Sequence, residues 1–171
     1  MSPLDQAGIR VGIVGDGAWG QALATLSIEA GNDVLLGYTG RKPRRKLSVT
    51  KDLSKVSAHA DLILLGVLAW EVRDAVRELA LGPQHRVIFC TRGPDPDTGR
   101  WLTQLLPQIS PVIRVGILGG PVIPAEVLKG VPTAAIIASR FEEVNRLGQQ
   151  ALHSPKCRIY TGDDPEAIEL A

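Results

Sequence analysis

Aromatic side chains are scarce in this chain, with three Trp, two Tyr and two Phe among 171 residues. A core must therefore be filled with Val, Ile, Leu and Ala, the filling expected of a parallel sheet covered by helices on both faces. Cysteine is scarcer still. Cys90 and Cys157 stand far apart and match no metal-ligand spacing, so they read as reduced cytosolic thiols, and no metal site is expected. A surplus of charge is also missing: 19 Lys and Arg against 18 Asp and Glu leave +1, so no global field recruits nucleic acid or an anionic membrane. No apolar run approaches the roughly 20 residues that span a bilayer. Residues 1–8 lack the basic and apolar regions of a signal peptide. A cytoplasmic protein with no nucleic-acid and no membrane partner is the expectation.

What is present is a regular alternation. Residues 9–14 read as a buried strand ended by glycines. Residues 19–30 place Ala22, Leu23, Leu26 and Ala30 at helical spacing, and Gly31-Asn32 stops that helix. Further strands are expected at 34–38, 47–50, 61–67, 86–90, 133–138 and 158–160, with one over 112–118 broken by Gly116. Helices are expected at 52–58, 70–81, 101–106 and 141–152. Alternating strands and helices predict an α/β protein: a Rossmann-type, doubly wound, mostly parallel sheet with helices on both faces and right-handed crossovers. The alternation ends near Asp163-Asp164-Pro165, which gives a dinucleotide-binding domain over residues 1–162.

The segment Gly15-Asp16-Gly17-Ala18-Trp19-Gly20 lies directly after the first strand and before the first helix. Its three glycines suit a tight turn, close approach of backbone to a pyrophosphate, and close packing of helix on strand. The helix start then turns free N–H groups and the positive dipole end toward phosphate. Ala18 and Trp19 supply the amides, and Trp19 borders the cofactor. An acid at the end of the second strand commonly binds the ribose hydroxyls of NAD. This chain has Gly37-Tyr38-Thr39-Gly40 there, followed by Arg41, Lys42, Arg44, Arg45 and Lys46. With no carboxylate and several cations in that stretch, NADP is favoured over NAD as cofactor.

Several segments together resemble the N-terminal domain of NAD(P)-dependent glycerol-3-phosphate dehydrogenase. The cradle and its continuation, Gly15 through Ala24, are close to GxGxWGxALA. Residues 60–67 look like ADLILLAV, Cys90-Thr91-Arg92-Gly93 like A-T-K-G, and residues 119–127 like SGPSFAxEV. Pro132-Thr133-Ala134 and Arg158-Ile159-Tyr160-Thr161 fall in the family's order. The resemblance implies a dehydrogenase that interconverts dihydroxyacetone phosphate and glycerol 3-phosphate. Thr39 and Arg41, after the second strand, are the expected contacts for the adenosine end. The resemblance adds Arg92 and Pro124 to the cofactor contacts, and gives Arg92 and Gly120 to a small phosphorylated substrate. Residues 163–171 resemble the start of the family's all-helical second domain. That domain carries the catalytic lysine, so no catalytic residue is assigned here, and this chain is expected to bind cofactor without turnover.

Departures from the pattern are specific. Arg92 stands where the family has lysine, exchanging a compact ammonium for a forked guanidinium. Val122 replaces a serine, Leu68 replaces a proline, and the segment after the second strand is short. These changes leave two alternatives open: a non-catalytic nucleotide-sensing module, and the cofactor domain of a 3-hydroxyacid or ketopantoate type of dehydrogenase. His59, His85 and His153 have no carboxylate or cysteine at ligand spacing. Asp95, Asp97, Asp163 and Asp164 sit among Gly and Pro and read as turn residues. Trp70 and Trp101 open helices and read as packing residues.

Overall fold

A computed structural model describes residues 8–40 and 47–171. Eight strands form one sheet: β1 (Arg10–Val14), β2 (Asp33–Gly37), β3 (Val49–Thr50), β4 (Leu62–Leu65), β5 (Arg86–Phe89), β6 (Arg114–Gly119), β7 (Thr133–Ala138) and β8 (Cys157–Gly162). Their order is β3-β2-β1-β4-β5-β6-β7-β8. The helices are α1 (Ala18–Glu29), α2 (Leu53–His59), α3 (Val72–Leu79), α4 (Leu102–Ile109), α5 (Pro124–Val127), α6 (Glu142–Leu152) and α7 (Pro165–Leu170). All pairings are parallel except that of β6 with β7. This is the doubly wound Rossmann fold that the alternation predicts.

Side chains of successive strand residues face opposite sides, and the two layers of helices divide them accordingly. On one side Val11, Ile13, Leu62, Leu64 and Ile88 pack with Leu23 and Leu26 of α1 and Val144 and Leu147 of α6. On the other, Ile63, Leu65, Val87 and Phe89 meet Val56 of α2, Val76 of α3 and Leu105 of α4. Both layers are aliphatic, as the shortage of aromatics requires. Helix α2 lies so close that a Cβ on Gly12 would come within 2.6 Å of Val56, and one on Gly37 within 2.6 Å of Leu53.

One expectation about the strands changes. Gly116 does not break β6, which runs unbroken through it: Gly116 pairs with Ile88, and a Cβ there would lie 3.0 Å from the Ala138 carbonyl. The glycine marks close approach of backbone, not a stop. The one antiparallel pairing, β6 with β7, follows a connection through residues 120–132 whose single helix is the four-residue α5.

Asn32 ties the lower edge together. Its amide donates to carbonyls of Ser27, Gln150 and Ala151, and its Oδ1 accepts the Ile9 N–H. Helix α7, in the segment expected to open a second domain, packs on β6. Ile168 rests against Gly119, and Glu169 accepts from the backbone and hydroxyl of Thr103. Among the described residues no helix is long and apolar enough to cross a membrane.

Candidate functional site

The chain runs outward from β1 to β2 and β3, then crosses to the other side of β1 at β4. Ligands in such sheets bind in the crevice at the carboxyl ends of the strands flanking this reversal. The glycine-rich segment occupies that position. Gly15 has φ +134°, and a Cβ on it would meet the Gly66 carbonyl, just beyond β4, at 2.6 Å. Its N–H is tied to the Gly37 carbonyl at the end of β2. Gly20 packs still closer: a Cβ would stand 1.8 Å from the Gly15 oxygen. Gly17 is different. Its φ is −70°, open to any residue, and a Cβ would meet nothing within 4 Å. No side chain caps α1 at Gly17 and its first turn carries no acid, so the free N–H groups that open a helix have no capping partner there.

Beside this cradle lies a cleft of about 370 Å³, lined by residues that follow β4, β5 and β6. Trp19 forms its near wall. The indole donates to the Cys90 carbonyl at 2.6 Å and sits over Gly66. Thr91 anchors the floor, its hydroxyl bonded to carbonyls of Leu65 and Val67. Arg92 donates to the Gly120 carbonyl at 2.8 Å, and Gly120 itself turns with φ +117°. Val122 and Pro124, the first residue of α5, complete the far side.

Of the residues read from the sequence, the structure gathers Gly15, Gly17, Ala18, Trp19 and Gly20 at the start of α1, and Arg92, Gly120 and Pro124 around the cleft. Thr39 is exposed just beyond β2. Arg41, with the rest of the basic run, lies outside the described residues. Trp70, expected to open a helix as a packing residue, does not. It sits on a 3-10 turn at Ala69–Glu71, lines the cleft and is 66% exposed. That turn is fixed by Glu71, whose carboxylate accepts the Leu68 N–H. Trp101, half-buried, precedes α4.

One carboxylate was missed. The stretch after β2 has no acid of its own, yet Asp16 of the cradle reaches it and accepts the Gly40 N–H at 2.9 Å. Reading strand ends along the chain cannot find a partner that arrives from another loop. Asp95 also does more than shape a turn. Buried, it pairs with Arg73 at 2.8 Å and accepts from Thr98, which together pull its carboxyl down to about 2. This pair holds the loop that follows Arg92. The histidines serve the fold: His85 bonds with Gly82 and Ser57, and His153 accepts from Ile159. Burial pushes both thiols up, Cys157 to about 11, so neither is a nucleophile near neutral pH.

A profile of the NAD-dependent glycerol-3-phosphate dehydrogenase N-terminus matches residues 38–145. The chain belongs to that family. The glycerol-3-phosphate dehydrogenase [NAD(P)+] of Bradyrhizobium sp. (strain BTAi1) is 31% identical over 180 residues, covering 94% of this chain and 55% of the relative. That of Rhodopseudomonas palustris (strain BisA53) is 32% identical with the same coverage. The chain thus spans about half the length of the curated relatives it matches. Among solved structures, glycerol-3-phosphate dehydrogenase from Coxiella burnetii superposes with a TM-score of 0.80 at 22% identity, over 92% of this chain and 55% of that one. The Plasmodium falciparum enzyme gives 0.78 at 16%, over 95% and 54%. At such identities the structural likeness speaks for the fold alone. The cradle itself lies before the matched profile span, within the region covered by the full-length relatives.

Proposed function

We propose that this member of the glycerol-3-phosphate dehydrogenase family holds NAD(H) or NADP(H) across its sheet reversal and serves an oxidoreductase that interconverts dihydroxyacetone phosphate and glycerol 3-phosphate. Gly17 carries the reading. Neither its backbone angles nor its neighbours demand glycine, so the space a Cβ would fill is kept for something outside the chain. Phosphate fits that space, because the amides of Ala18 and Trp19 and the positive end of α1 converge there.

In this arrangement the α1 amides would hold the pyrophosphate, Thr39 would border the adenosine end, and the cleft beyond Trp19 would take the reacting half. A bound nicotinamide supplies the hydride. The chain orients it: Trp19 is held rigid by its bond to Cys90, and Thr91 fixes the floor under Arg92. Arg92 contributes positive charge for a substrate phosphate or for charge developing on a carbonyl oxygen. Its bond to Gly120 aims it across the cleft. Two buried, unpaired thiols suit a reducing compartment, and cytoplasmic residence goes with this reading.

The deciding measurement is a calorimetric titration with NADH and NADPH, alongside Gly17→Ala. Saturable binding of at least one nucleotide, weakened about tenfold or more in a folded Gly17→Ala protein, is expected. Binding that ignores the substitution would remove the cradle from the site. The apolar rim formed by Leu68 and Val122 favours a second reading, a module that binds nucleotide without turning substrate over. Glycerol-3-phosphate-dependent reduction of NAD(P), measured on the entire gene product, separates the two.

A further inference from the structure

The cradle carries a carboxylate that its glycine pattern does not require. Asp16 stands between Gly15 and Gly17 and is half-buried. Its Oδ2 accepts the Gly40 N–H at 2.9 Å, and a Cβ on Gly40 would lie within 2.9 Å of the same oxygen. Gly37-Tyr38-Thr39-Gly40 holds no acid, although the end of the second strand is where this fold reads the adenosine ribose. The missing charge is supplied across space, by a residue 24 positions earlier in the chain.

We infer that Asp16 sorts the two forms of the cofactor, accepting the 2′-hydroxyl of NAD(H) and disfavouring the 2′-phosphate of NADP(H). The inference rests on the dinucleotide reading above and names the residue that governs its selectivity. An ionised carboxylate offers about four acceptor positions, so holding Gly40 leaves capacity for a ribose hydroxyl. A phosphate monoester offers it no such donor and carries a charge of about −1.5 to −2 at neutral pH. Two like charges in a half-buried site repel.

The test is titration of NADH and NADPH into the wild-type chain, Asp16→Asn, Asp16→Ala and Asp16→Glu at low salt. Asp16→Asn keeps an acceptor for Gly40, so the turn retains its tie while the charge goes. The ratio of NADPH to NADH affinity should rise roughly tenfold in Asp16→Asn. Asp16→Ala should move the ratio the same way, and Asp16→Glu should leave it near wild type. The gain should shrink as salt is raised. An unchanged ratio, or equal loss of both affinities in the neutral variants, overturns the inference and leaves the cofactor reading standing. A wild-type chain that binds neither nucleotide overturns both.

Discussion

Two glycines in one motif answer to different masters. Gly20 is required by the chain itself, since a methyl group there would drive into the Gly15 carbonyl at 1.8 Å. Gly17 has room for that methyl. Gly20→Ala is therefore expected to lose about 3 kcal/mol of stability or more in denaturant unfolding. Gly17→Ala should unfold within about 1 kcal/mol of wild type while losing cofactor affinity. Equal stabilities would mean that the cradle backbone yields more easily than its geometry implies. Asp95 makes a prediction about acid. Its folded carboxyl titrates near 2 against an ordinary 3.8, mainly through Arg73 and then Thr98. The pair therefore stabilises the fold fully above the ordinary range, and that contribution is lost as pH falls toward 2. Urea midpoints followed from about pH 5 to about pH 2 should fall more steeply for wild type than for Asp95→Asn. Parallel curves would show that the pairing does not persist in solution.

Among the elements, the 3-10 turn at Ala69–Glu71 decides the character of the cleft. Periodicity correctly places a helix after β4, because Val72, Ala75, Val76 and Leu79 share its buried face. It also sweeps Trp70 into that helix. The turn instead unwinds the entry and leaves the indole at the cleft rim, and Glu71 holds it by binding Leu68. Trp70→Ala should consequently leave the melting temperature within about 2 °C of wild type, since little buried surface is lost. If NADH binds in the cleft, the same substitution should remove part of the tryptophan fluorescence change expected on its addition. A large drop in melting temperature would return Trp70 to the core. Short elements escape sequence reading for a related reason. With four residues, α5 shows no period to detect, and its start is marked by Pro124. Asp52 was more readable, since it caps α2 by accepting from Ser54.

For the whole molecule, the reversal of strand order after β3 matters most, because it opens a crevice at the edge where the carboxyl ends of parallel β1, β2, β4, β5 and β6 already lie. A ligand at that edge would touch several of these elements at once. A nucleotide at about 100 times its Kd should add about 2.7 kcal/mol, raising the melting temperature by roughly 5–10 °C for a chain of this size. No shift with either NADH or NADPH under saturating conditions would argue against a site at the reversal.

The fold class and the cradle were legible in the residues alone, because both are local in origin. Buried parallel strands demand continuous apolar runs, α1 shows its period in Ala22, Leu23 and Leu26, and the glycines lie together within six consecutive positions. Whatever joins distant segments was decided by tertiary structure. Asp16 meets Gly40, Arg92 meets Gly120, Arg73 meets Asp95, and β7 pairs antiparallel with β6. Periodicity records which face of an element is buried. It carries no information on which loops the completed sheet brings side by side, and the candidate site lies among those loops.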